Sequence, residues 1–325
     1  MDTVLRRIQE KKNRLDGFRP FPTVLEKNID DWLRIELTYN SNAIEGNTLS
    51  RIETMLIVEK GITARGKSLV EHQEAINHAR AFDYVVGLVE SKEDISLQRV
   101  LIDIHSLILD KINDPYKGRY RDVSVRIQAS QVVLPNPLKV PEKMDTFYKK
   151  MEEIKHISVP EQACIVHYDF VSIHPFIDGN GRTARLLMNY VLLKNGYAPA
   201  LIKKEERGIY IDALEEYHIL GKPQKYYAYL YKTIERGLDE YLKLLEKPSL
   251  EQGERLLKIG ELAEVSGVSI STVRHWTKEG LLDVQDYTKG GYQLYNDTMI
   301  ERIKHIRTLQ NDGLPLAKIK LLRLL

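Results

Sequence analysis

One short stretch constrains this chain more than any other: His174-Pro175-Phe176-Ile177-Asp178-Gly179-Asn180-Gly181-Arg182-Thr183-Ala184-Arg185. Ahead of it Ala163, Val166, Phe170 and Ile173 recur at helical spacing, so a helix runs up to His174 and Pro175 breaks it. Gly-Asn-Gly then makes a turn whose backbone can approach a ligand and aim successive N–H groups at it. Helical spacing resumes at once with Arg182, Arg185, Leu186 and Asn189. The turn therefore enters a helix N-terminus, where unpaired donors and the macrodipole favour anions. Arg182 and Arg185 share one face of the first turn, and two guanidiniums beside a nest of amides describe a polyphosphate site. Asp178 would repel phosphate unless a divalent cation lay between them, which implies Mg²⁺. His174 is the neutral-pH base at hand.

Length and composition set the frame. A chain of 325 residues is comfortable for two or three domains, and 43% hydrophobic with 29% charged residues is a globular balance. No apolar run approaches the ~18 residues of a membrane span, and the N-terminus lacks a signal-peptide core. The single cysteine, Cys164, excludes an internal disulfide framework and fits a reducing, cytoplasmic location; it sits in the apolar helix before the turn as a small core residue. A formal net charge of +2 says little about partners.

The stretch resembles the signature of Fic-domain proteins, H-x-F-x-[DE]-G-N-G-R-x-x-R, with every specified position filled. The run-up His167-Tyr168-Asp169-Phe170-Val171-Ser172-Ile173 matches the family as well. The resemblance implies a mainly α fold, a Fic-type helical core with a small β-hairpin flap, occupying residues 91–245. It also implies the chemistry: AMP passes from ATP to a Ser, Thr or Tyr hydroxyl of a protein. His174 takes the hydroxyl proton and Asp178 holds Mg²⁺. The amides of Gly179, Asn180 and Gly181 stabilise the transferring phosphate, while Arg182 and Arg185 clamp the β- and γ-phosphates. In the family an aromatic near Tyr210 packs on the adenine, and His218 stands where an asparagine commonly meets the ribose. Phe176 anchors the loop. Phosphotransfer by a reversed nucleotide is the alternative; that branch commonly carries lysine where this chain has Gly181.

Residues 1–90 read as helical. Within them Ser41, Glu45, Gly46 and Asn47 describe a short capped helix when taken alone. They also resemble the family's inhibitory motif, [ST]-x-x-x-E-[GN], at 41–47. That resemblance implies Glu45 paired with Arg185 in the space of the γ-phosphate, and a Glu45-assisted removal of AMP as a secondary activity. Gly61-Ile62-Thr63-Ala64-Arg65-Gly66-Lys67-Ser68 matches the P-loop pattern, but Ile52, Met55, Leu56 and Val58 ahead of it favour a helix where a P-loop needs a strand. A connecting loop is the better reading.

Period-two alternation through Val123, Val125 and Ile127, with Val132, Val133 and Leu134 returning before Pro135, predicts a hairpin near 123–134. The resemblance makes it the flap on which a target protein docks by strand addition.

Residues 246–257 have linker composition, and the pattern restarts at 258–325. A helix, a Gly267 turn, a helix capped by Ser269, and a glycine hairpin near Gly290 and Gly291 describe a winged helix-turn-helix. The stretch resembles the MerR family, which implies that Thr272, Arg274, His275 and Lys278 face DNA. Acids and bases are about equal there, so a protein-docking module stays open, as does a DNA-binding regulator whose Fic domain senses nucleotide. A homo-oligomer is also left open; a membrane partner is not expected.

Overall fold

The computed structural model describes all residues except 1, 22, 92, 94, 128, 129, 247–255, 289, 312 and 322–325. Its contacts divide the chain into two compact units, Met1–Glu246 and Lys247–Leu325.

The first unit is helical: α1 (Asp2–Asp16), α2 (Thr23–Ile44), α3 (Arg51–Lys60), α4 (Leu69–Ser91), α5 (Leu97–Ile108), α6 (Val140–Glu153), α7 (Val159–Ile173), α8 (Asn180–Lys194), α9 (Arg207–Leu220) and α10 (Gln224–Leu245). Local chemistry sets many of the boundaries. Ser50 and Glu53 form a capping box on α3 and Gly61, at φ 62°, closes it. Ser96 caps α5 through the Arg99 N–H, and Pro160 lies in the first turn of α7.

The α7–α8 pair is the centre of the unit. Ala163, Val166, Phe170 and Ile173 of α7 face Leu186, Leu187 and Met188 of α8 in one continuous core with Leu101 and Ile104 of α5. Each large apolar side chain buried there contributes about 1.5–3 kcal/mol, so the turn between α7 and α8 is built on the best-packed part of the unit. Helices α2 and α4 flank that pair, and α1 lies along α10.

Two of these readings change, and the connecting-loop reading of the P-loop pattern holds. Ser41 does not begin a short helix: it lies in the last turn of the long α2, and its side chain is spent on Arg185. The P-loop pattern is the connection between α3 and α4, with Lys67 Nζ donating to Thr48 O at 2.7 Å. The hairpin near 123–134 has no ladder among the described residues, which show local turn bonds from Ser130 N–H to Ile127 O at 3.3 Å and from Val132 N–H to Ser130 Oγ at 3.1 Å. Alternation there is only half realised: Val125, Ile127, Val132 and Leu134 are half-buried while Val123 and Val133 are exposed, too little burial to enforce a ladder.

The second unit holds β1 (Leu257–Lys258), α11 (Ile259–Ser266), α12 (Ile270–Lys278), β2 (Asp286–Tyr287), β3 (Gln293–Tyr295), α13 (Thr298–Asn311) and α14 (Leu316–Leu321). Its sheet has the order β1-β3-β2, antiparallel throughout, with Leu257 opposite Tyr295 and Tyr287 opposite Gln293. Gly267 ends α11 at φ 64°, and Ser269 caps α12 by accepting the Thr272 N–H. Val273 and Trp276 of α12 point into the small core. Most of the stretch 246–257 read as linker lies outside the described residues.

Candidate active site

His174 ends α7 in a left-handed conformation, φ 51° and ψ 58°, with its N–H on Phe170 O at 3.0 Å. Burial dominates and lowers its pKa to about 4; the Val171 carbonyl pulls it up, Arg121 adds a weaker downward pull, and Glu45 and Asp178 add weaker upward ones. The imidazole is neutral at pH 7 and can accept a proton. Nδ1 is buried without a well-formed hydrogen bond, although it lies near Val171.

The following loop is braced from inside. Asn180 is 2% exposed and its amide closes on one peptide pair: Phe176 N–H donates to Oδ1 at 3.0 Å, and Nδ2 donates to Phe176 O at 2.9 Å. Phe176 is fully buried and stacks on His105 with ring centroids 3.5 Å apart. His105 Nδ1 accepts the Gly118 N–H at 2.9 Å, so Nε2 carries the proton and donates it to Asp178 O at 3.0 Å. Burial lowers the His105 pKa to about 4 and keeps it neutral in this role. Gly179, at φ 75°, then caps α8 in a conformation that side chains resist.

Asn180→Ala would strand the Phe176 N–H and C=O inside this loop. Denaturant titration of the full chain should show the helical unit losing about 2–4 kcal/mol. A loss below about 0.5 kcal/mol would mean that the loop does not depend on that amide.

The two arginines separate. Arg185 is buried, donating from Nε to Ser41 Oγ at 2.9 Å and from Nη2 to Ser41 O at 2.9 Å and Glu45 Oε1 at 2.7 Å. Glu45 keeps 37% of its side chain exposed at the cleft mouth. Burial pushes its pKa up, but Arg185 and Arg182 outweigh that and hold it below the usual carboxylate value. Arg182 turns instead to Glu74 of α4, Nη1 to Oε1 at 2.8 Å, with its Nε buried and unpartnered. Glu74 also accepts from Asn47 Nδ2 at 2.9 Å.

Tyr210 reaches Arg185 and donates to His167 Nε2 at 2.9 Å. His167 Nδ1 meets Tyr226 OH at 2.9 Å, and that hydroxyl donates to Cys164 O at 2.8 Å. With both hydroxyls and both ring nitrogens used, Tyr210 is a buried support of Arg185; its ring is 2% exposed.

An open cleft of ≈ 790 Å³ brings together Glu45, His174, Gly181, Arg185 and Tyr210, with Tyr168, Ile211 and Leu214 on its apolar wall. His218 lines it as well, and so does Glu215, whose Oε1 is buried without a partner. The side chain of Asn180 is turned into the loop, and Asp178 is 56% exposed beside Arg182. A Cβ at Gly181 would collide with Glu45 Oε1. His105, Arg121, Glu74 and His167 were missed as site residues. His105 carried a sequence signal, a polar side chain on the apolar face that α5 shows through Leu101, Ile104 and Ile108, and His167 stood in the run-up that matches the family.

In the second unit Arg274, His275 and Lys278 are exposed along α12 and Thr272 is half-buried, its N–H and hydroxyl meeting Ser269. The hairpin residues Tyr287 and Tyr292 are exposed.

Residues 95–192 match the model of the Fic/DOC family and residues 257–323 that of the MerR HTH family regulatory proteins. The chain is 34% identical over 244 residues to a protein adenylyltransferase Fic of Nematostella vectensis, covering 74% of this chain and 56% of that protein. It is 33% identical over 213 residues to the protein adenylyltransferase fic-1 of Caenorhabditis elegans, covering 65% and 42%. The chain thus spans about half the length of the curated relatives it matches. Among solved structures it resembles a Fic domain containing signalling protein from Bacteroides thetaiotaomicron, with TM-score 0.67, 25% identity and coverage of 76% of this chain and 99% of that one. It also resembles Fic-1 from C. elegans, with TM-score 0.68, 28% identity and coverage of 76% and 73%. Residues 95–192 thus form a domain of the Fic/DOC family, in a chain that also carries a MerR-type helix-turn-helix at 257–323.

Proposed function

We propose that the chain transfers AMP from ATP to a hydroxyl of a protein and that Glu45 restrains this activity. The observation that carries the reading is the Glu45–Arg185 pair at 2.7 Å beside His174: a carboxylate occupies the guanidinium that a terminal phosphate needs. The relatives named protein adenylyltransferase support the same chemistry. In the reaction His174, neutral and at the cleft, takes the proton of the incoming alcohol. The oxygen bonds to the α-phosphorus, and pyrophosphate leaves with the electron pair. Amides of Gly179, Asn180 and Gly181 at the start of α8 stabilise the charge that develops. Arg185 holds the γ-phosphate once Glu45 withdraws, and Arg182 serves the β-phosphate if Glu74 yields it. Glu215 Oε1 offers an acceptor to the sugar or base.

No group of three or more metal-ligating side chains exists among the described residues. Asp178, exposed at the loop, fits Mg²⁺, a cation that commonly binds through one carboxylate together with substrate phosphates. When bound it would neutralise phosphate charge.

Incubation with α- and γ-labelled ATP tests the reading. Label should reach protein from the α-position only, and EDTA should prevent it. Transfer from the γ-position would instead establish phosphotransfer.

The exposed row of Arg274, His275 and Lys278 supports a second role for α12, in docking to DNA. Fluorescence anisotropy with duplex DNA should then show binding that weakens steeply with salt. No binding at low salt would leave the helix-turn-helix as a protein-docking module.

A further inference from the structure

His174 is held by its backbone more than by its ring. Among the described residues no carboxylate hydrogen-bonds the imidazole, and Nδ1 lacks a well-formed hydrogen bond. Its φ of 51° is one that an L-residue keeps only when its surroundings impose it. The side chain that grips it is Arg121, whose Nε–H donates to His174 O at 2.8 Å while its backbone N–H donates to Pro175 O at 2.8 Å.

Arg121 is 2% exposed, and no acidic side chain pairs with it among the described residues. Its remaining donors go to Val123 O at 3.2 Å and Pro135 O at 2.7 Å. Those carbonyls are the two stems of the 123–135 loop, whose Ile127, Ser130 and Val132 line the cleft. A buried cation without a counter-ion is costly, and an apolar side chain could fill the same space. What a guanidinium adds is a rigid fork that fixes several carbonyls at once.

We propose that Arg121 is a positioning residue for His174, tying the base's own carbonyl to both stems of the loop so that loop and imidazole are set together. The inference rests on the adenylyl-transfer reading above. The target's side of the cleft and the base then share one anchor, and a disturbed anchor costs turnover rather than nucleotide binding.

The full chain carrying Glu45→Gly is the parent, with Arg121→Gln and Arg121→Lys added. In Arg121→Gln, kcat for α-label transfer should fall about ten- to a hundredfold, because a displaced base loses its line to the hydroxyl. KM for ATP should stay within about twofold, since Arg121 touches none of the phosphate-binding residues. The charged groups acting on His174 are Arg121, which lowers its pKa, and Glu45 and Asp178, which raise it; Glu45 is absent from the parent. Arg121→Gln should therefore move the acidic limb of the rate to higher pH. Arg121→Lys keeps the charge, so it should leave the limb in place and still lose rate, since one ammonium does not span three carbonyls.

A folded Arg121→Gln protein with unchanged kcat overturns the inference, as does a raised KM for ATP at full kcat. Failure of both variants to fold also overturns it, making Arg121 a stability residue only. A parent that transfers no α-label defeats the underlying reading first, whereas an active parent matched by its Arg121 variants defeats this inference alone.

Discussion

Glu45→Gly is expected to raise transfer of α-label from ATP to protein by on the order of ten- to a hundredfold, the range of typical coupling energies between competing sites. Glu45 Oε1 is 2.7 Å from Arg185 Nη2, which also donates to Ser41 O, while Nε donates to Ser41 Oγ. Arg185 and Arg182 outweigh the hydration that the Glu45 carboxylate loses in the cleft and keep it ionised at neutral pH. A γ-phosphate arriving at Arg185 therefore meets an anion already in place, and one guanidinium fork does not serve both. Gly181 completes the arrangement, because any side chain there would push the carboxylate away. The substitution should leave the fold intact: Arg185 keeps Ser41 and Tyr210, and Glu45 is partly exposed. A transfer rate equal to or below that of the unsubstituted chain would remove Glu45 from any restraining role.

His174→Ala in the same background should lower transfer by about 10²-fold or more, the usual contribution of a positioned general base. ATP binding should persist, because the imidazole is not asked to hold phosphate. The pH dependence follows from the depressed pKa. A base works when deprotonated, so kcat/KM should hold level from neutral pH downward and fall as pH drops through about 4, where burial and Arg121 have moved His174. An acidic limb near the ordinary imidazole value of about 6.5 would mean that His174 is not the titrating group or is more open to water.

Much of the site was legible because it is local in sequence. Gly179 in its left-handed turn, the helix beginning at Asn180 and the spacing of Arg182 and Arg185 are all consequences of neighbouring residues. The Ser269 cap and Gly267 turn of the second unit were legible for the same reason.

What sequence reasoning missed depends on packing between distant segments. Arg182 spends itself on Glu74, and His105 braces Asp178 across 73 positions. Arg121 reaches His174 across 53. Apart from His105, a polar side chain on an apolar helix face, nothing in the neighbouring sequence marks such partners. The 123–134 segment failed in the opposite way: its alternation imitates a strand, but its inward side chains are only half-buried and no ladder forms among the described residues.

The most direct test is a crystal of the Glu45→Gly protein grown with ATP and Mg²⁺. Nucleotide density should follow the start of α8, with the γ-phosphate on Arg185 and the α-phosphorus facing the His174 imidazole. Density for the triphosphate elsewhere, with the turn from Gly179 to Arg185 making no contact to it, would contradict the account.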